Sequence, residues 1–204
     1  MLNSRKRCFP VPSPSKTYFV RISSRNHFVL TLNYSRTCAT LRGMERVFHT
    51  IAPIYSPESE ILILGTMPSP KSREASFYYA HPQNRFWPAL ALALNEPAPA
   101  TNEEKTVLIL RHHLALWDVL LSCDITGASD ASIQNPVAND IPALIRQTRI
   151  TRVLCTGATS ARLYRKLLFP KTNIPCETLP SPSAANARMR LEELARVYRE
   201  KLIS

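Results

Sequence analysis

Asn84 lies in the densest cluster of chemically able side chains in this chain, the run His81-Pro82-Gln83-Asn84-Arg85-Phe86-Trp87, with Phe77, Tyr78 and Tyr79 just ahead of it. Loops are ordinarily polar, because an exposed aromatic ring gains nothing from water. Five aromatics beside an amide, an imidazole and a guanidinium suit a flat, polar-edged molecule. A nucleobase fits that description, since it can be stacked on rings and hydrogen-bonded at its edge. As chemistry, the neutral amide of Asn84 cannot act as a strong base. It can orient a water molecule, and its carbonyl dipole can stabilise developing positive charge. As structure alone, it is an N-cap for the helix that follows. Phe86 and Trp87 divide naturally, one ring to the core and the other to a pocket.

Two further clusters share this character. Gly65-Thr66 and Thr156-Gly157 each follow an apolar run directly, where a glycine lets backbone N–H groups approach a base or a phosphate. Strand-to-helix turns often need a glycine in any case, and that reading is preferred for Gly157. Neither shows a GxxxxGK[ST] or GxGxxG phosphate fingerprint. The other cluster is the segment from Leu179 to Arg188, LPSPSAANAR. Two prolines stiffen it, and its hydroxyl and N–H groups before a helix suit a phosphodiester, although a Pro-terminated strand and a Ser-capped helix would look the same. His112 and His113 are adjacent on a helix and point apart, so with Asp118 they read as structural. No nucleophile elbow is present.

These residues must be positioned by a regular frame. The sequence predicts a strand over 60–64, a helix from 84–85 to 94 with Pro88 in its first turn, and a helix capped by Asn102 running to 114. A second strand is expected over 115–121, then a long polar loop over 127–139 and a helix opened by Asp140 and Pro142 to 148. A third strand over 150–155 leads through Gly157 into a helix ending at 168. A short fourth strand at 176–179 precedes a last helix with apolar residues at Ala187, Leu191, Leu194, Ala195, Tyr198 and Leu202. Alternating strands and helices imply a parallel sheet covered on both faces, a three-layer α/β domain. Ligands of such folds bind at the carboxyl ends of the strands, where nearly all the unusual residues fall.

The 204 residues suit one globular domain, and no apolar run is long enough to span a bilayer. Five scattered cysteines without a C-x-x-C pair argue for a reducing compartment and against a cysteine-ligated metal. Of the net charge of +11, residues 1–43 carry +8 with no acid, and the remainder carries +3. A mildly basic domain fits a polyanionic partner without proving one. Residues 1–43 lack sustained periodicity and are set apart from the domain at 44–204. They read as a targeting leader, as a phosphate-clinging arm, or as sequence upstream of a true start at Met44, the last being preferred.

Taken together, the strand-Gly-Thr-x-Pro-Ser loop, HPQNRFW and LPSPSAANAR resemble the uracil-DNA glycosylase superfamily, and most closely its deoxyinosine (hypoxanthine)-DNA glycosylase branch. The resemblance covers about 48–204, and the HPQNRFW segment is its specific part. It implies a three-layer α/β/α sandwich with a central four-stranded parallel sheet. It also implies monofunctional base excision without metal or cofactor, by a monomer acting on DNA that contains a deaminated base. The location implied is cytoplasmic, with the chromosome. Gly65, Thr66, Met67, Pro68 and Ser69 match the family's first motif. Many members have a water-activating Asp or Asn two positions after the glycine, and here Met67 cannot do that work. The catalytic amide is then Asn84, with Phe86 stacking on the flipped base and Tyr78 shaping the pocket. Ser132, in the GASDAS loop, is the candidate reader of the base edge. Ser181, Pro182 and Ser183 match the second motif, which grips phosphates, with Asn186 and Arg188 as further DNA contacts. Ser183 and Ala184 are small, so the candidate wedge into the duplex is Arg188 or Met189, or else the wedge is a weak one. The substrate implied is deoxyinosine, with uracil second. A uracil- or mismatch-specific enzyme is the rival within the class, and a non-catalytic nucleic-acid-binding relative, prompted by Met67, is the rival outside it.

Overall fold

The computed structural model describes residues 43–186 and 189–203. The reading of residues 1–42 and the roles assigned to Ala187 and Arg188 therefore lie outside the described residues. Four strands form the parallel sheet anticipated from the sequence: β2 (Ile61–Gly65), β3 (Leu114–Asp118), β6 (Arg152–Thr156) and β7 (Cys176–Leu179), in the order β3-β2-β6-β7. Successive side chains of a strand point to opposite faces, so the central strand β2 feeds two cores. Leu62 and Leu64 pack with Val153, Cys155, Ala161 and Tyr164 on one face, while Ile63 packs with Leu116, Leu154 and Leu179 on the other. That uninterrupted apolar run is what a strand covered on both sides requires.

Helices cover the two faces. On one lie α2 (Phe86–Leu94), α3 (Asn102–Arg111) and α7 (Leu191–Ile203); on the other lies α5 (Ala158–Leu167). Phe86, Trp87, Leu90 and Ala91 of α2 are buried together with Leu194 and Tyr198 of α7. Helix α2 ends where Asn95 enters the left-handed region at φ +58. The cap of α3 is Thr101 rather than the expected Asn102: its hydroxyl accepts from Glu104 N–H and the Glu104 carboxylate accepts from Thr101 N–H, a capping box. Three short helices, α1 (Pro70–Glu74), α4 (Ile141–Ile145) and α6 (Phe169–Thr172), complete the set.

A second sheet was not expected. β1 (Met44–Phe48), β4 (Leu120–Thr126) and β5 (Gln134–Ala138) pair antiparallel in the order β1-β4-β5. The single strand anticipated over 115–121 is therefore two strands in two sheets, β3 and β4, separated by Val119 alone. The supposed polar loop over 127–139 holds a 3₁₀ turn at Asp130–Ser132 and then β5. An unbroken apolar run does not show where a chain changes sheets. The crossover is fixed by backbone bonds from Val119 N–H to Gly65 O (2.9 Å) and Leu120 N–H to Thr66 O (3.1 Å). Buried Asn139 adds two more, donating from Nδ2 to the carbonyls of Asp118 (2.9 Å) and Leu120 (3.0 Å). No helix among the described residues is long and apolar enough to cross a membrane.

Candidate active site

The carboxyl ends of β2, β3 and β6 deliver Gly65, Asp118 and Thr156 to one rim of the sheet. There they meet three loops around a cavity of about 600 Å³. The loop after β2 contributes Gly65, Thr66, Met67, Pro68 and Ser69, all five positions of the first motif. The aromatic segment contributes Tyr78, Tyr79, His81, Gln83 and Asn84; the loop after β7 contributes Ser181, Pro182 and Ser183. A second, more open groove of similar volume lies behind that last loop, between Ala158, Thr178 and Val197, and has no titratable side chain on its wall. The chemistry belongs to the first cavity.

Asn84 stands on the cavity wall as expected. Its Oδ1 accepts from the Phe86 N–H (2.9 Å), and its own N–H donates to His81 O (2.8 Å). The side chain therefore bonds at the start of α2, although Arg85 is the cap residue. Among the described residues Asn84 Nδ2 makes no hydrogen bond, which leaves one amide donor and the second lone pair of Oδ1 for a water or a substrate.

The ring pairing differs from the expected one. Phe86 is fully buried and is absent from the cavity wall, and Trp87 is buried as well, donating from Nε1 to Tyr78 O (3.0 Å). Both rings are core, so Phe86 cannot stack on a base in this arrangement. The ring on the wall is Tyr79, which lies over Phe86 with centroids 3.9 Å apart and planes 18° apart. Tyr79 adopts φ +51, uncommon for a bulky residue, and such strain gathers at functional sites. Its hydroxyl bonds to Thr156 Oγ1 (3.0 Å), whose own proton goes to Leu64 O (3.3 Å), so the phenol is the donor. Burial, followed by the charge of Asp118, pushes Tyr79 well above the ordinary phenol range, and it stays neutral. Tyr78 touches the cavity but is largely core, its hydroxyl donating to Ala52 O (2.9 Å).

Asp118, read from sequence as structural, is a cavity residue, whereas His112 and His113 are structural as expected. His112 bonds Glu96 (2.9 Å), and His113 closes the turn after α3 at φ +54. Asp118 Oδ2 lies 2.9 Å from His49 Nε2, with both side chains almost wholly buried at 6% and 2% exposure. His49 Nδ1 accepts from Ile51 N–H (3.3 Å), so the ring proton sits on Nε2 and is donated to Asp118. Asp118 Oδ1 lies over Gly65, where an added Cβ would come within 2.1 Å of it. Glycine at 65 thus makes room for a carboxylate.

Ser132 does not reach the cavity. Its hydroxyl donates to Ser129 O (2.7 Å) and accepts from Thr126 N–H (2.8 Å), closing the turn. The same loop instead supplies Gly127, Ser129 and Asp130 to the wall. Asp130 Oδ2 accepts from Thr66 Oγ1 (2.8 Å). Burial, then the neighbouring charge of Asp118, raises its carboxyl above the usual range.

Arg85 explains the guanidinium in the knot. It donates to the carbonyls of Met189, Asn186 (2.8 Å) and Ser183 (3.3 Å), and its backbone N–H donates to Pro182 O (3.0 Å). One side chain thus ties the loop after β7 to the residue beside Asn84. Within that loop Asn186 Nδ2 donates to Ser181 O (2.9 Å); Asn186 braces the turn and lies on the second groove rather than the cavity. Ser69 caps α1, accepting from Ser72 N–H (3.2 Å). No group of three or more metal-ligating side chains occurs among the described residues.

His49, Tyr79 and Asp130 are the functional candidates that sequence reasoning missed. Asp118 could have been flagged by its place at the carboxyl end of a strand. His49 gave no such signal, because it meets Asp118 across 69 residues of chain.

The chain is 32% identical to a hypoxanthine DNA glycosylase of Methanosarcina acetivorans over 136 residues, 66% of this chain and 85% of that one. It is 32% identical to the hypoxanthine DNA glycosylase of Methanosarcina barkeri over 137 residues, 67% and 86% of the two chains. The fold matches the solution NMR structure of a candidate uracil DNA glycosylase from Methanosarcina acetivorans with a TM-score of 0.64 and 27% identity, covering 76% of this chain and 98% of that one. Residues 52–202, which hold the parallel sheet, both motif loops and Asn84, match the Uracil DNA glycosylase superfamily, and the chain belongs to that family.

Proposed function

We propose that the protein is a monofunctional DNA glycosylase that hydrolyses the N-glycosidic bond of deaminated bases, with hypoxanthine in deoxyinosine as the first substrate and uracil as the second. The observation that carries this reading is Asn84, an amide with a free donor, on the wall of a cavity of about 600 Å³ whose first-motif loop has Met67 where many members have a water-activating Asp or Asn. The names of the two Methanosarcina relatives support the choice of base.

The target nucleotide leaves the stack at a cost of a few kcal/mol, less when it is mispaired. Tyr79, stiffened from behind by Phe86, offers a flat face to the base. As the bond between C1′ and the base breaks, its electron pair goes to the base and positive charge develops on the sugar. Among the described residues the backbone N–H groups of Thr66 and Met67 donate to no protein acceptor, so they are available to the departing base anion, a preorganised electrostatic effect. Asn84 orients the water whose oxygen bonds to C1′, and the water's proton passes to solvent or to the freed base. A strong general base typically adds ~10²–10⁴-fold. Without one, the reaction depends on a good leaving group, which favours hypoxanthine and uracil over thymine. Ser181, Pro182 and Ser183 grip the phosphates beside the cavity; Met189, a candidate wedge from sequence, packs partly buried against the core instead, which leaves Arg188 as the candidate.

Alkali-developed strand cleavage of duplexes carrying a single deoxyinosine, uracil or thymine–guanine mismatch tests the reading, with wild type beside Asn84→Ala. Cleavage at inosine that falls at least 100-fold in the variant, with DNA binding retained, supports it. Cleavage at uracil alone moves the protein to a uracil-specific role. DNA binding without any cleavage leaves the non-catalytic reading, which Met67 favours.

A further inference from the structure

We propose that Asp130 is a positioning residue: through the Thr66 hydroxyl it holds the first-motif loop so that the Thr66 and Met67 N–H groups stay aimed at the departing base. The inference deepens the glycosylase reading above and rests on it.

The aim of those donors follows from their peptide planes. In a trans peptide the N–H points away from the C=O of the same plane. The C=O of Gly65 accepts from Val119 N–H (2.9 Å), and that of Thr66 accepts from Leu120 N–H (3.1 Å). Val119 and Leu120 are fully buried and lie off the cavity wall, whereas Gly65, Thr66 and Met67 line it. Two successive carbonyls thus turn into the protein, and the N–H groups of the same planes turn together toward the cavity. Successive N–H groups facing one way make a concave site for an anion. The segment that carries the chain from β3 into β4 therefore sets the direction of both donors.

Two bonds to one short segment leave the loop a pivot about the line that joins them. A third tie away from that line removes it. Asp130 supplies the tie, its Oδ2 accepting from Thr66 Oγ1 at 2.8 Å across 64 residues of chain. Asp130 is itself fixed, because it opens the 3₁₀ turn at Asp130–Ser132. Ser132 closes that turn, donating to Ser129 O (2.7 Å) and accepting from Thr126 N–H (2.8 Å). Burial works against the charge of Asp130, and its carboxylate makes no other hydrogen bond among the described residues. The carboxylate thus costs stability where it stands, and what it does there is hold Thr66.

Three single variants separate the parts of this tie. Thr66→Val removes the hydroxyl with almost no change in volume, and Asp130→Ala removes the acceptor. Asp130→Asn keeps an acceptor oxygen. Duplexes carrying one deoxyinosine or one deoxyuridine are cleaved in single turnover with enzyme in saturating excess, which reads the chemical step, and Kd for the same DNA is measured beside it. Outright loss of a preorganised donor costs about 10²–10³-fold in rate, so donors that are present but loosely held should cost about 10- to 100-fold. That fall is expected in Thr66→Val and in Asp130→Ala. Kd should stay within about threefold of wild type, because the charge these donors meet develops only in the transition state. A merely structural contact would instead lower stability or affinity and leave the rate of bound DNA unchanged. Asp130→Asn should remain within about fivefold of wild type, since an amide oxygen also accepts from a hydroxyl. The Thr66→Val/Asp130→Ala double variant should be no slower than the slower single, as expected for two halves of one contact.

Single-turnover rates within about threefold of wild type in both Thr66→Val and Asp130→Ala would overturn the proposal, given the size of the effect expected. Losses that multiply in the double variant would overturn it too. So would an Asp130→Asn as slow as Asp130→Ala, because charge rather than the hydrogen bond would then be at work. Thr66→Val decides the matter even if Asp130→Ala does not fold. All of these outcomes leave the glycosylase reading intact. Failure of wild type to cleave either duplex would instead defeat that reading, and this inference with it.

Discussion

Replacing Arg85 by Met keeps the apolar stem of the side chain and removes its guanidinium, which isolates the tie between the aromatic segment and the loop after β7. Hydrogen bonds from a charged donor contribute about 1.5–3 kcal/mol each. The bond to Ser183 is long and open, so only those to Asn186 and Met189 are counted, at the low end because the guanidinium is partly exposed. The loss is about 3 kcal/mol, near a hundredfold in the opening equilibrium of the loop. Amide exchange at Asn186, whose N–H donates to Ser183 O, and at Arg85, whose N–H donates to Pro182 O, should accelerate by about that factor. If release of the loop is coupled to global unfolding, Tm falls by roughly 6–12 °C; if the loop opens alone, exchange moves and Tm hardly does. KM for DNA should rise at least tenfold in either case, because Ser181 and Ser183 leave the cavity wall. Arg85→Lys restores the charge but not a fork able to reach three carbonyls, and should sit between. Exchange at Asn186 within threefold of wild type in Arg85→Met would refute the tie.

Gly65→Ala places a Cβ 2.1 Å from Asp118 Oδ1 and 3.1 Å from the Tyr79 hydroxyl. Urea unfolding should show a loss of about 1.5–3 kcal/mol, the order of losing a hydrogen bond to a carboxylate, and a loss under 1 kcal/mol would show that the carboxylate moves aside freely. Asp130 should give an opposite kind of signal in pH. Its folded pKa is raised above the ordinary 3.8, mainly by burial, so between those values the folded state binds more proton than the unfolded one. Its contribution to stability is full below about 3.8 and declines as pH rises through the raised value. The difference in urea midpoint between Asp130→Asn and wild type should therefore grow in the variant's favour over that window, and a pH-independent difference would contradict the assignment.

Much of the site was legible before the fold. The loop beginning at Gly65, the amide of Asn84 and the Ser181-Pro182-Ser183 segment are contiguous in sequence, and each marks itself by composition. Asn84 reaches the cavity because the turn that exposes it is closed within six residues, by His81 O and Phe86 N–H. The roles of the rings were not legible in the same way. Tyr79 and Phe86 are both aromatic residues near one turn, and only the left-handed backbone at Tyr79 brings one ring to the wall and leaves the other behind it. Ser132 and Asp130 are two residues apart in one polar loop, and the 3₁₀ turn decides which of them faces inward.

The sequence by itself determined what depends on neighbours along the chain: the buried β2 with its abrupt glycine, the alternation that demands a covered parallel sheet, and the motif loops at strand ends. Only the tertiary structure decided what depends on meetings across the chain. His49 lies 69 residues from Asp118, and the antiparallel sheet carrying β1 exists because the chain leaves the parallel sheet at Val119 and enters β4. Arg85 reaches carbonyls about a hundred residues away. Local composition records helix, strand and turn because their hydrogen bonds close within a few residues. A buried carboxylate and the imidazole that aims it leave no such record, since each looks ordinary until the fold removes the water between them.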